Sequence, residues 1–146
     1  QYNSLAAAAT YGTGVWNWET VTQLSHQAIV PAEGFMTEFR VQASLNTVLA
    51  GGLSLAHAFG RIKENGVVVA GPFPLTATPG NFFIPACFSY INYNPVANTG
   101  YTYTFELLDS ASSGGWVVSP VTTTLSGSYG SEIQTTSESW MIVRRT

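Results

Sequence analysis

The side chains best suited to chemistry in this 146-residue sequence are few: His26, His57, Cys87 and eight scattered carboxylates. A serine nucleophile needs a base and an orienting group within hydrogen-bond reach. The sequence has no Gly-x-Ser-x-Gly elbow. His57 alternates with Leu55 and Phe59, which predicts a buried, hydrogen-bonded core histidine rather than a base. Cys87 lies in an apolar stretch and reads as a small core hydrophobe. A metal centre wants three or four ligands at readable spacing, and His26 and His57 stand 31 positions apart. Only a ring of symmetry-related histidines at an oligomer axis would multiply them into a ligand set. Glycoside cleavage needs paired carboxylates, but the acids here are dispersed. Gly127-Ser-Tyr-Gly130 lacks the lysine and following helix of a phosphate-cradling loop. The expectation is a protein that is not an enzyme, with no catalytic residues, no metal and no cofactor.

Binding chemistry is better represented. Four Trp and seven Tyr can act as stacking platforms. Trp16, Trp18, Trp116 and Tyr129 fall in or beside turn-rich segments, where binding residues concentrate. Trp116 and Tyr129 are therefore candidate glycan contacts, although aromatics more often serve cores and interfaces. Arg144-Arg145 at the end of the sequence reads as a solvating pair.

Charge is the compositional anomaly. Asp, Glu, Lys and Arg make up 9% of residues, where about 25% is usual. A net charge of −3 with five basic residues leaves no footprint for a phosphate backbone. A hydrophobic content of 45% excludes a disordered, solvating chain. No run approaches the roughly 18 apolar residues of a membrane span, and one cysteine excludes an internal disulfide framework. Neither nucleic acid nor membrane is an expected partner. With 17 Thr and 14 Ser, hydroxyls can carry part of the solvation, and assembly can bury the rest.

The elements that position these residues are strands. In 35–45, positions 35, 39, 41, 43 and 45 are apolar while 38, 40, 42 and 44 are polar, a period of two. Leu53, Leu55, His57 and Phe59 share a face, and the phase slips at Gly60 before Ile62, which predicts a bulge. Asn65-Gly66 predicts a two-residue hairpin turn, because type I′ needs positive φ at both positions. Pro72, Pro74 and Pro79 predict irregular chain or an edge. Residues 82–91 are apolar on both faces, and Tyr101, Tyr103, Phe105 and Leu107 alternate with polar neighbours. About eight strands without a long helix predict an all-β, antiparallel jelly-roll sandwich over 21–146. Residues 1–20 read as an extended N-terminal arm rather than a secretory leader, since they lack a basic start and an adequate apolar run. Extended chain there would put Trp16 and Trp18 on one side.

"AIVPAEGFMTEFRVQ", "RIKENGVVVA", "NTGYTYTFELL" and "SWMIVRRT" occur in the order and spacing of strands in the tumour necrosis factor and complement-head superfamily, which the chain resembles over about 21–146. The resemblance implies a jelly roll packed as a homotrimer. It implies that Phe82, Ile84, Phe88, Tyr101, Tyr103 and Phe105 line the subunit interface. No collagen-like or coiled-coil stalk precedes the domain here, and Asp109 is the only aspartate, so no acidic calcium site is expected. Small versions of this domain occur on bacteriophage particles, as fibre tips or capsid-bound trimers, a use that the short uncharged arm fits better than it fits an animal cytokine.

The expected role is a capsid decoration (cement) trimer at the virion surface, assembled in the host cytoplasm. The arm would lie on the major capsid protein or another virion protein through Tyr2, Leu5, Tyr11, Trp16 and Trp18. The alternative is a receptor-binding tail-fibre tip or lectin-like module that takes a surface glycan.

Overall fold

Period-two segments with no long helix to cover them can bury one face by stacking two sheets, and this is what the chain does. A computed structural model describes residues 1–4, 9–11, 16–47, 56–77, 84–109, 116–119, 123–124, 132–133 and 137–146. The strands are β1 (Tyr2–Ser4), β2 (Ala9–Tyr11), β3 (Glu19–Thr20), β4 (His26–Val30), β5 (Phe35–Thr47), β6 (Ala56–Glu64) and β7 (Val67–Ala77). They continue as β8 (Ile84–Asn92), β9 (Thr99–Asp109), β10 (Trp116–Ser119), β11 (Thr123–Thr124), β12 (Glu132–Ile133) and β13 (Glu138–Arg145). A single 3₁₀ turn, Thr22–Leu24, is the only helical element among the described residues.

All pairings are antiparallel. In the first sheet β5 lies between β13 and β8, β1 borders β13, and β10 with β2 extends the ladder past the end of β13. In the second sheet β9 lies between β6 and the tandem pair β3 and β4, with β7 outside β6. Without the short β2, β3 and β10–β12, eight strands remain in chain order. The first, eighth, third and sixth form one sheet, and the second, seventh, fourth and fifth form the other. This is jelly-roll order. Residues 1–20 belong to the same body where they are described: β1 adds to the first sheet and β3 to the second.

The core lies between the sheets. Phe39, Val41 and Ala43 of β5 face Tyr101, Tyr103, Phe105 and Leu107 of β9. Phe39 stacks on Tyr103 at 5.5 Å and Phe88 on Phe105 at 5.0 Å, and Phe73 joins Phe88 at 5.2 Å. Burial of each such ring is worth about 1.5–3 kcal/mol, so this aromatic column holds the two sheets together. The hydroxyl of Tyr103 is satisfied inside the sandwich: it donates to Glu64 and accepts from Thr37 at 2.5 Å, while Asn92 Nδ2 donates to the same carboxylate at 3.0 Å.

This placement corrects the expectation that Phe88, Tyr101, Tyr103 and Phe105 line a subunit axis. Tyr103 and Phe105 are 0% exposed within one chain, so another copy has nothing of them left to cover. The alternation identified the apolar face correctly. The cover is the chain's own first sheet. Phe82 lies outside the described residues, and Ile84 is described only through its backbone pairing with Leu45.

The predicted turn and bulge are present. Asn65 and Gly66 have φ of 49° and 82°, and Asn65 ties the hairpin to β9, donating its N–H to Thr102 O at 2.8 Å while Oδ1 accepts from Thr102 N at 2.8 Å. The β6–β7 register shifts between Gly60 and Ile62 and again between Ile62 and Lys63. Pro72 and Pro74 sit in β7, which pairs only with β6 among the described residues, so the edge alternative is the one observed.

Candidate interaction surfaces

The outward face of the first sheet is built from alternate residues in register. Tyr2, Trp140, Arg40 and Ser89 form one row across β1, β13, β5 and β8; Ile142, Glu38 and Ile91 form the next; Glu138, Gln42 and Cys87 the third. Glu38 is only 2% exposed although it points away from the core. Ile142 and Ile91 flank it, and Arg40 and Arg144 close over it with ion pairs. Tyr2 packs against Trp140 at 6.0 Å and donates its hydroxyl to Glu138 at 2.9 Å. A shallow hollow of about 310 Å³ lies beside this row, lined by Arg40, Gln42, Cys87, Trp140 and Ile142. Cys87 is exposed, which corrects its assignment to the core. Inward positions on β8 are Ala86 and Phe88, so position 87 faces out. This face was missed in the sequence, yet a signal existed: Trp140 and Ile142 alternate with Met141 and Val143, so the final strand is apolar on both sides.

The second sheet repeats the device. Glu106 faces outward from β9, is 6% exposed, and accepts from Arg61 at 2.6 Å, Lys63 at 2.9 Å and Thr20 Oγ1 at 3.2 Å. Burial pushes its pKa up, but hydrogen bonds and charge from Lys63 and Arg61 outweigh this and leave it below the usual glutamate range. Trp18 completes the cover, with the Arg61 guanidinium 4.0 Å from its ring centroid. Four of the five basic residues are thus committed to two glutamates.

The arm residues divide. Tyr2 (55% exposed) and Trp16 (66%) are open to solvent, while Trp18 is half-buried on its own Arg61. Trp16 has a left-handed backbone, φ 61°, so the two indoles do not share one side of an extended strand as expected. Leu5 and Tyr129 lie outside the described residues. Tyr11 and Trp116 pair across β2 and β10, and nothing further is described of their side chains. The side chain of His57 is likewise outside the described set.

His26 is buried. Its Nε2 lies 2.9 Å from Ser139 Oγ and 3.1 Å from Ser139 O, and Ser139 Oγ donates to Leu24 O at 2.9 Å. The serine proton is therefore spent on Leu24, and Nε2–H donates to Ser139, linking β4 to β13. Burial lowers the His26 pKa below its ordinary 6.5. The unfolded chain then takes up the proton first as pH falls, so stability is full above about pH 6.5 and declines below it until the folded pKa is reached. Urea melts from pH 7.5 to 5 should show this decline. The variant His26→Phe should lose about 1 kcal/mol at neutral pH and show a smaller decline with acid.

Among the described residues no three His, Cys, Asp or Glu side chains converge, and His26 on the second sheet is buried in the sandwich while Cys87 is exposed on the outer side of the first. What the geometry offers is surface: a face on the first sheet that mixes aromatic and aliphatic side chains with one buried carboxylate paired to two arginines, and exposed aromatics on residues 1–20. No family model matches the sequence, and no curated protein matches it.

Proposed function

We propose that the chain is a non-enzymatic structural subunit that assembles as a homotrimer and decorates the outside of a virus particle, in keeping with the resemblance to the tumour necrosis factor and complement-head superfamily, small versions of which occur on bacteriophage particles. The observation that carries this reading is the outward face of the first sheet. It combines Tyr2, Trp140, Ile142 and Ile91 with a carboxylate whose charge is already answered by Arg40 and Arg144. Covering this face costs little solvation at Glu38, which is desolvated before any partner arrives, while Arg40 and Arg144, 53% and 45% exposed, keep their ion pairs to it. Subunit contacts belong here rather than at Tyr101, Tyr103 and Phe105. A standard interface removes about 1,600 Å² from water. Contact with the shell falls to Trp16, which is 66% exposed and outside that face, and three copies per trimer supply avidity without strong single contacts.

Light scattering tests the assembly. The protein should run at three times its 15.6 kDa chain mass, and Ile142→Arg, which sets a third cation beside Arg40 and Arg144, should yield folded monomers. A wild-type monomer would remove the reading. For the shell contact, Trp16→Ala should leave the trimer intact and weaken binding to virus particles at least tenfold; undiminished attachment would argue against it.

A further inference from the structure

We infer that the cleft between the turn preceding β5 and the loop following β8 is a binding site for a neutral saccharide. It is separate from the faces assigned to assembly, and its argument does not depend on them. The cleft has a volume of about 350 Å³, within the roughly 300–1,000 Å³ of small-ligand pockets. Tyr93, Pro95 and Phe35 give it apolar walls; Glu33, Asn94 and Thr146 give it polar ones.

Its walls are held in place. On one side, Asn94 N donates to Asn92 Oδ1 at 3.1 Å, and Asn92 in turn donates to Glu64. Val96 N donates to the hydroxyl of Tyr101 at 2.7 Å, and Asn98 N to Val30 O at 2.7 Å. On the other side, Gly34 O accepts from both the N–H and the Oγ1–H of Thr146, each at 2.7 Å. Gly34 has φ +77°, so the turn needs a residue that adopts left-handed backbone without strain. The loop thus holds an exposed aromatic, Tyr93 at 63%, on a scaffold pinned to the core. A backbone held this way meets a ligand already ordered, so only the rotamer of Tyr93 is left to fix.

The chemistry of the lining selects the ligand. The flat C–H face of a pyranose fits against Tyr93 and Pro95. Its hydroxyls can donate to the Glu33 carboxylate and both donate to and accept from the Asn94 amide. No basic side chain lines the cleft, and Glu33 repels anions, so phosphates and acidic sugars are disfavoured.

The test is titration of the ¹⁵N-labelled full chain with glucose, galactose, mannose and N-acetylglucosamine at millimolar concentrations, followed by amide shifts. At least one sugar should move Gly34, Tyr93 and Asn94 together. The variant Tyr93→Ala should weaken that sugar about tenfold, a fall of the size an aromatic stacking contact supplies. Tyr93→Phe should bind within about threefold of wild type because the ring remains, and Ile29→Ala, an exposed change away from the lining, should bind equally. The amide spectrum itself reports that each variant is folded. If none of the four sugars shifts these amides, or folded Tyr93→Ala binds as wild type does, the inference is overturned. Binding of N-acetylneuraminic acid in preference to all four would overturn the neutral class.

Discussion

Replacement of Gly71 by alanine should destabilise the protein by about 3 kcal/mol, the sum of two costs of comparable size. Gly71 has φ +100°, a conformation that side-chain-bearing residues rarely adopt, and a Cβ there would stand 2.7 Å from Gly60 O and 3.0 Å from Arg61 Cα. Those neighbours are backbone in a paired strand and cannot swing aside. The crowding follows from the ladder. Gly60 pairs with Phe73 and Ile62 with Ala70, so three steps on β7 answer two on β6, and the extra residue folds the edge strand toward its neighbour. Gly66→Ala separates the costs. Its φ is +82° but no atom lies within 4 Å of the added methyl, so it should lose only about 1 kcal/mol from backbone strain. Urea melts of the two variants check the difference. Equal losses would show that the close approach to Gly60 contributes nothing.

That bulge was half legible. The phase slip at Gly60 is visible in the sequence, because Phe59 and Ile62 cannot share a face at period two. Gly71 sits between valines and prolines in a segment that reads as an irregular edge, and nothing local announces that its carbonyl-side neighbour across the ladder is another glycine. The same division runs through the molecule. Alternation at 35–45 and 101–107 marks which residues share a face, since side-chain direction in a strand is a local property. What covers the face is not local. Tyr101, Tyr103 and Phe105 look identical in sequence whether roofed by a second subunit or by β5 and β8. The jelly-roll order puts β9 in the centre of its sheet, opposite the chain's own Phe39 and Phe88. Glu38 and Glu106 were correctly placed on polar faces. Their burial was illegible, because it comes from partners 2 to 106 positions away. The Tyr93 cleft joins the turn at 33–34 to Thr146, and no spacing rule brings those together.

The two buried outward glutamates give the second large expectation: Glu106→Ala should cost about 2 kcal/mol. Removing one partner of a fully buried ion pair typically costs about 3–5 kcal/mol. Arg61 and Lys63 retain 19% and 23% side-chain exposure, so water relieves part of that here. What remains is two like charges facing each other where their common anion stood, a lost acceptor for Thr20, and an Arg61 no longer held beneath Trp18. The folded carboxyl titrates below its ordinary value of 4.5. The stability it contributes is therefore fully present above about pH 4.5 and is lost as pH falls through the lowered folded pKa. In Glu106→Ala that acid-dependent share should be missing, so wild type and variant should converge in urea melts as pH drops from 5 toward 3. Replacing the group whole, with Arg61→Met, Lys63→Met and Glu106→Leu together, should recover most of the loss, since a buried ionic cluster is often no more stable than apolar side chains of similar volume. If the triple variant is as unstable as Glu106→Ala, packing beneath Trp18 rather than charge sets the cost. If Glu106→Ala alone is neutral, the carboxylate is not the centre that organises the outer face of the second sheet.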